Sequence, residues 1–498
     1  MNEQKMCTIE NEIPSKSCRF VHTYPLFTQE ESKGIECQGT IQQLSACDGS
    51  NYISSDSNNS LTLVDTFKDL KLQPLSYEEL QCMLKVTIDI SALTKNAKLL
   101  VTLAIVAIRR IMEQSIHPDS NIYKFPIHPF KRFNKKCVEF KQPVEITCFS
   151  YDENRQLHMD DRESRYYYPP NLEDCNLSVG YENLIQKSEG PEPIHSLLDA
   201  LIHLNETKGD EVKADIVSWR GIFTKLLCTP YNRNESWEFG ATLYNVSIVA
   251  LNYLIILYNT IFIEEHETEQ TRLYREGSTP KAKLMGYWGY KFEALCTIGV
   301  PATEIQSPDD PELLARKNTI VNTNIQYCSV SKTSLGKNRL IMGAEVDCLI
   351  DVKPPYPENP INRYIELKTT KILKNERDNF LFERYKLIKF WAQSFLIGLP
   401  KIIVGFRDDD GNLCSLKEIK TLEIPRMVRG KDKMWDAVIC LNFLNEFFEW
   451  LRRVIDIEDA NSSYVISFKE PYQEIEVTFC HNKNPVLADR HLKSFGKK

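Results

Sequence analysis

Gly343–Thr370, GAEVDCLIDVKPPYPENPINRYIELKTT, holds two short strand-like runs separated by a segment rich in proline and asparagine. The first run carries E-x-D, Glu345 and Asp347, and the second E-x-K, Glu366 and Lys368. Side chains on a strand alternate faces, so each pair projects from one side of its strand, and three carboxylates and a lysine can converge. Hard oxygen donors on strands suit Mg²⁺ or Mn²⁺, whose shells keep positions open for water and phosphate. A protonated lysine is no ligand. Beside such an ion it orients an attacking water or offsets charge growing on a phosphate. Together these groups form a set for phosphodiester hydrolysis. Either motif alone reads equally as solvent-facing strand residues, so the rest of the chain has to decide.

Downstream, Asp378–Ile397 has an aromatic helical pattern, carries Gln393, and is stopped by Gly398 and Pro400. KIIVGF at Lys401–Phe406 predicts a buried strand leading to Arg407 and a turn at Asp410 and Gly411. Asp432–Arg453 predicts a long helix with Trp435, Phe443, Phe447 and Trp450 in the core. Upstream, GYWGYKFE at Gly286–Glu293 ends on a carboxylate that, once buried, needs a metal, a lysine or a hydrogen-bond donor. Within DIVSWRGIFTKLLCTPY, Asp215–Tyr231, the apolar setting of Arg220 calls for a carboxylate or a phosphate; a structural ion pair and a substrate contact both answer that need. Pro193–Asn205 predicts a helix with Leu197, Leu198, Leu201 and Ile202 on one face.

Helices alternating with strands over residues 124–480 predict an α/β domain of mixed β-sheets flanked by helices, with a cleft holding the metal site. Residues 1–123 predict a poorly ordered N-terminal extension, with a short helix at Lys98–Glu113, and residues 481–498 form a C-terminal tail.

A net charge of −7 over 498 residues excludes a general nucleic-acid coat protein. A nucleic-acid enzyme remains allowed if its attraction is local, made by a metal ion and a few cations in a groove. Fifteen cysteines without a C-x-x-C pair read as reduced thiols of the nucleus or cytoplasm. The apolar run Val246–Ile263 contains Asn252 and Asn259 and is followed by Glu264 and Glu265, so it predicts a buried strand or helix rather than a membrane span. No P-loop, dinucleotide fingerprint, H-E-x-x-H or G-x-S-x-G occurs.

Taken in order, WRG with TKLLCTPY, GYKFE, E-V-D, E-L-K, WAQSFLIG and VGFRDDDG resemble the DXO/Rai-like decapping exonuclease family. The similarity runs from about Phe149, with FSYD and RYYYPP, to about residue 455, and the acids and lysine look like a PD-(D/E)XK nuclease core. The resemblance implies removal of incomplete or unusual RNA 5′ caps, namely the unmethylated guanosine cap and the NAD cap. It also implies release of 5′ pyrophosphate and 5′-to-3′ digestion of monophosphorylated RNA, in mRNA quality control. It assigns one or two Mg²⁺ or Mn²⁺ ions to Glu293, Glu345, Asp347 and Glu366, with the backbone carbonyl of Leu367 as a further ligand. Lys368 then stands at the attacking water, Gln393 near the scissile phosphate, and Arg220 on substrate phosphates. The expected partners are RNA with a capped, triphosphate or monophosphate 5′ end and an Xrn-type exoribonuclease; the expected location is the nucleus ahead of the cytoplasm, away from membranes. A catalytically silent 5′-end binding protein, or a partner of an Xrn-type enzyme, is the competing reading, and a DNA nuclease on the same core is a third. Two departures stand out. Residues up to about 120 match nothing in the family, and Val246–Asn259 reads as an insertion between ATLYN and TIFIEEHE, of a kind that interrupts a strand, or as a retained intron.

Overall fold

Val, Ile, Tyr and Phe alternating with polar residues give the strands of two mixed sheets. A computed structural model describes residues 122–480 apart from 174, 209–212, 233, 251–253, 356 and 457–462, together with 486 and 491, with the backbone alone at 245–250 and 254–258. The described strands begin with β1 (Ile122–Pro126), β2 (Val144–Tyr151), β3 (Leu157–His158), β4 (Tyr166–Tyr167), β5 (Ile216–Trp219), β6 (Trp237–Ala250), β7 (Leu254–His266) and β8 (Thr297–Ile298). They continue with β9 (Gln326–Leu335), β10 (Asn338–Glu345), β11 (Cys348–Leu349), β12 (Tyr364–Lys371), β13 (Lys401–Arg407), β14 (Leu413–Lys420), β15 (Ser463–Phe468) and β16 (Glu474–Cys480). The α-helices are α1 (His195–Lys208), α2 (Arg220–Cys228), α3 (Glu269–Glu276), α4 (Pro280–Cys296), α5 (Pro311–Asn318), α6 (Glu376–Leu381), α7 (Leu387–Leu396), α8 (Ile424–Val428) and α9 (Ala437–Val454).

A ten-stranded sheet runs β1-β16-β15-β6-β7-β5-β10-β9-β2-β3, and a six-stranded sheet runs β14-β13-β12-β11-β4-β8. Parallel pairs, β5 with β7 and β10 and β12 with β13, sit beside antiparallel ones, so both sheets are mixed. The largest core cluster joins α2, α7 and α9 to both sheets, through Phe223, Trp391, Phe443 and Phe447 among others. A second cluster packs α4 on the outer sheet face, where Phe292 meets Ile365, Leu367 and Ile403.

Helix starts follow local chemistry. Thr279 accepts from the Ala282 N–H ahead of Pro280, Asp310 accepts from the Glu312 N–H ahead of Pro311, and Asp436 caps α9. The helix expected at Asp378–Ile397 is broken: α6 passes into a π turn, Phe382–Lys386, before α7. The helix expected at Asp432–Arg453 begins later, at Ala437, where Asp436 caps it.

Three expectations need correction. Glu345 and Asp347 do not share one strand: Glu345 ends β10 in the large sheet, Cys348 begins β11 in the small one, and Asp347 lies at the crossing. The apolar run around Val246 does not interrupt the sheet, because β6 and β7 pair antiparallel without a slip from Glu238↔His266 to Ala250↔Leu254, so it lengthens a hairpin. The segment taken as a tail is not all free of the core, since Val486 and His491 are buried, Val486 donating its N–H to Thr242 Oγ1 and His491 lying 3.0 Å from Asp199. The N-terminal expectations for residues 1–121 lie outside the described residues; Ile122 and Tyr123 already belong to β1, paired with β16. No helix among the described residues is long and apolar enough to cross a membrane.

Asp215, 3% exposed, fastens the large sheet: its carboxylate takes the Arg339 N–H at 2.7 Å and Arg339 Nη2 at 2.8 Å, with Arg452 Nη2 of α9 at 3.2 Å. Burial alone raises its pKa, yet Arg339 and Arg452 outweigh it and hold the carboxyl below its ordinary value. Asp215→Ala is expected to cost about 2–3 kcal/mol in urea unfolding, less than for a fully buried pair because both arginines keep contact with water. The folded pKa being depressed, that loss is full above about pH 4 and shrinks as the pH falls below it.

Candidate active site

β10 ends on Glu345 where two glycines let large rings close the walls. A Cβ on Gly343 would meet the Trp219 ring at 2.6 Å, and one on Gly405 of β13 would meet the Phe292 ring at 2.5 Å. The second contact draws α4 onto β12 and β13, and the residue after Phe292 is Glu293. Two buried cations fix the same helix. Lys291, 2% exposed, donates to Lys317 O at 3.1 Å and Thr319 O at 3.4 Å at the end of α5. In return Arg316 of α5 donates to Leu295 O at 3.0 Å near the end of α4, and to Tyr168 O and Pro169 O. Each helix thus has terminal carbonyls satisfied by a cation from the other. Lys291→Met is expected to destabilise the fold by about 1–3 kcal/mol in denaturant unfolding, by removing the donor that ties the end of α5 to α4.

β12 supplies Glu366 and Lys368 from one face, as the alternation predicted. Glu366 is fully buried, with Arg220 Nη1 at 2.8 Å from Oε2 and Lys368 Nζ at 2.5 Å from Oε1. Arg220 opens α2 directly after β5, so the ion-pair alternative for this residue is realised, and realised inside the site. Lys368 Nζ also stands 4.0 Å from Asp347 Oδ2, which accepts the Leu367 N–H at 2.6 Å. Gln393 is half-buried on α7, the helix packed against α2.

Charge decides the behaviour of the cluster. Burial alone would raise Glu366, but Arg220 and Lys368 overcome it and hold the carboxyl at about 2. Asp347 is pushed up to about 7 by burial and by Glu366, although Lys368 and the Leu367 N–H pull the other way. Glu293 is raised well above the usual range by burial and by Asp347. Glu345 keeps an exposed surface, yet loss of hydration among the surrounding groups raises its carboxyl, with Lys187 and Gln326 acting against this. Burial would lower Lys368, but Glu366, Asp347 and Glu293 hold it protonated far above the usual range.

Among the described residues no group of three or more acidic, histidine or cysteine side chains is placed so as to hold a metal ion, so the cleft does not show the metal site that the sequence predicts. The donors nonetheless suit a divalent cation. Four carboxylates face three cations, Arg220, Lys368 and Lys187, and Glu366 Oε1, buried and near Lys368, receives no well-directed hydrogen bond.

Sequence reasoning missed the flank beside Glu345. Glu192 joins Lys187 at 3.1 Å and Arg155 at 2.6 Å, and Arg155 in turn binds Gln326, the residue that hydrogen-bonds Glu345. No motif marks these positions. Tyr290, inside GYKFE, carries no signal of its own in the sequence; burial, then Glu293 and Glu345, raise its hydroxyl pKa.

Over residues 141–492 the chain matches the family described as RAI1 like PD-(D/E)XK nuclease. It is 40% identical over 337 residues to the decapping nuclease RAI1 of Aspergillus fumigatus, covering 66% of this chain and 87% of that protein. It is 34% identical over 366 residues to the decapping and exoribonuclease protein of Xenopus laevis, covering 70% and 83%. The crystal structure of Candida albicans Rai1 in complex with pU5 and Mn²⁺ superposes with a TM-score of 0.66 at 25% identity, over 75% of this chain and 98% of that one. Profile, relatives and fold agree, and the chain belongs to the RAI1-like PD-(D/E)XK nuclease family.

Proposed function

We propose that this protein is a metal-dependent hydrolase of RNA 5′ ends, removing unmethylated guanosine and NAD caps and 5′ pyrophosphate, and digesting the exposed chain 5′ to 3′. The observation that carries this reading is the convergence of Glu293, Glu345, Asp347, Glu366 and Lys368 at the junction of the two sheets. Relatives named as decapping nuclease and as decapping and exoribonuclease protein, and a neighbour bound to pU5 and Mn²⁺, support it.

Glu293, Glu345, Asp347 and Glu366, with the Leu367 carbonyl, would hold one or two Mg²⁺ or Mn²⁺ ions. Bound there, the metal supplies an activated water and neutralises charge on the phosphate. The chain's own groups do the rest. Lys368, held protonated, donates to the water or to a phosphate oxygen and cannot act as a base in this state. Arg220 keeps Glu366 ionised and has further guanidinium donors for a substrate phosphate, with Gln393 as a neutral donor nearby. A silent 5′-end binder has no physical use for four crowded carboxylates, three of them raised above their ordinary values by burial and by neighbouring acids. We place the activity in the nucleus, where new RNA 5′ ends are made, and count an Xrn-type exoribonuclease as a partner that would consume the monophosphorylated product.

End-labelled RNAs bearing a monophosphate, triphosphate, unmethylated cap, methylated cap or NAD cap test the reading. Metal-dependent release from at least one of them is expected, and the panel ranks the 5′ ends. A folded chain that binds these RNAs and releases nothing from any would replace hydrolysis with the binding reading.

A further inference from the structure

The acids stand on both sheets. Glu345 ends β10 of the large sheet, whereas Glu366 lies on β12 of the small one and Glu293 on α4, the helix packed over β12. A divalent cation shared among them fixes its oxygens to within about 0.2 Å, so the spacing of the two sheets decides whether they can meet on it.

One residue reaches both sides of that junction. Tyr327 of β9 is 3% exposed, and its carbonyl accepts the Val346 N–H at 3.0 Å, between Glu345 and Asp347. Its hydroxyl lies 2.8 Å from that of Tyr364, which is fully buried at the start of β12. Tyr364, Glu366 and Lys368 share one face of β12 by the two-residue period. The Tyr364 hydroxyl in turn donates to Glu145 Oε2 of β2 at 2.6 Å, and Ser329 of β9 donates to the same oxygen at 2.6 Å. Lys353, between β11 and β12, closes the circuit, with Nζ 2.8 Å from the Tyr327 hydroxyl and 3.1 Å from Glu145 Oε1.

Proton counting gives this circuit one direction. Lys353 has only protons to give, Tyr364 gives its single proton to Glu145, and so the proton between the two hydroxyls belongs to Tyr327. Burial alone would lower Lys353, yet Glu145 outweighs it and the ammonium is raised to about 12. Burial and then Glu145 raise the Tyr364 hydroxyl as well. Apolar groups of the same volume would hold the sheets together about as well. A fully satisfied, directed set of hydrogen bonds adds a defined distance.

We propose that the circuit of Tyr327, Tyr364, Glu145 and Lys353 is a positioning brace for the metal site, setting the distance between Glu345 and Glu366 across the sheet junction. The proposal deepens the hydrolase reading above and rests on those acids holding a metal. The four residues act through the strands that carry the acids, not on the reacting atoms.

Mn²⁺ uptake by the full chain is followed by the electron paramagnetic resonance signal of the free ion, beside hydrolysis of the RNA panel above, for wild type, Tyr364→Phe, Tyr327→Phe and the two combined. Tyr464→Phe is the control, since it deletes an equally buried hydroxyl, bonded to Asp456, on β15. Tyr364→Phe is expected to weaken Mn²⁺ binding about tenfold and to lower kcat about tenfold, with KM for RNA within about twofold. The double variant should lose no more than Tyr364→Phe alone, because both substitutions cut one link. Tyr464→Phe should melt lower than wild type and bind Mn²⁺ unchanged. Should Tyr364→Phe not fold, Tyr327→Phe, which leaves Glu145 all its donors, decides by the same measurement. Wild-type Mn²⁺ affinity in the folded variant, losses that multiply in the double variant, or an equal loss in Tyr464→Phe overturns the brace. Wild type that binds Mn²⁺ and cuts no RNA counts against the hydrolase reading alone, and wild type that takes up no Mn²⁺ ends both.

Discussion

Asp347→Asn is expected to lower metal-dependent hydrolysis of every RNA 5′ end by about 10³-fold or more, since it removes a charge that no neighbour replaces at the centre of the acid cluster. Asp347 sits at the crossing between the sheets, coupled to Glu366, Glu345 and Glu293 at once. Asparagine keeps the side-chain oxygen that accepts the Leu367 N–H, so β12 has no reason to move. The variant should therefore fold, and without metal it should melt no lower than wild type, because one of four mutually repelling acids has gone. Added Mn²⁺ should raise the Tm of wild type by mass action and raise that of the variant much less. An Asp347→Asn chain that kept both the rate and the metal-induced shift would remove Asp347 from the site.

Lys368→Met carries the second largest effect, a slowing of the chemical step by about 10² to 10³-fold. The ammonium lies 2.5 Å from Glu366 and 4.0 Å from Asp347, where burial costs it less than those carboxylates return. Methionine keeps the length and apolar stem of the lysine while deleting the charge. Metal should bind at least as well, because a competing cation is gone, and RNA affinity should fall only modestly. Single-turnover rates with saturating Mn²⁺ separate the two: a reduced rate at unchanged metal saturation is expected, whereas a normal rate once metal is raised would make Lys368 a charge balancer without a part in the chemistry.

How far these residues were legible depends on the geometry each needed. Glu366 and Lys368 required only the two-residue period of one strand, and the structure keeps them on one face. Glu345 and Asp347 obeyed the same pattern in sequence, yet the chain changes sheets between them, an event that period alone cannot announce. Glu293 was found as a carboxylate in an apolar setting, but its helix was not, since Gly286, Gly289 and four aromatics in eight residues dilute helix propensity. The π turn before α7 left no periodic trace, so the position of Lys386 against Thr370 came from the structure alone. The apolar run near Val246 was readable as strand. That its two halves form the arms of one hairpin follows only from the pairing of β6 with β7.

Arg220 shows why both of its readings were needed. It is a structural ion pair in the sense that Glu366 is its partner at 2.8 Å, and that partner is itself one of the acids the site requires. Fold and chemistry meet in this contact: the turn from β5 into α2 delivers the guanidinium, and the guanidinium keeps a fully buried carboxylate ionised at about 2.

The most direct test of the account is one gel comparing wild type with Asp347→Asn on 5′-monophosphate, triphosphate and unmethylated-cap RNA, with Mn²⁺, with Mg²⁺ and with chelator. The account predicts release by wild type in metal, none in chelator, and none above background from a folded Asp347→Asn chain. Release that survives the substitution at the wild-type rate, or that proceeds unchanged in chelator, would contradict it.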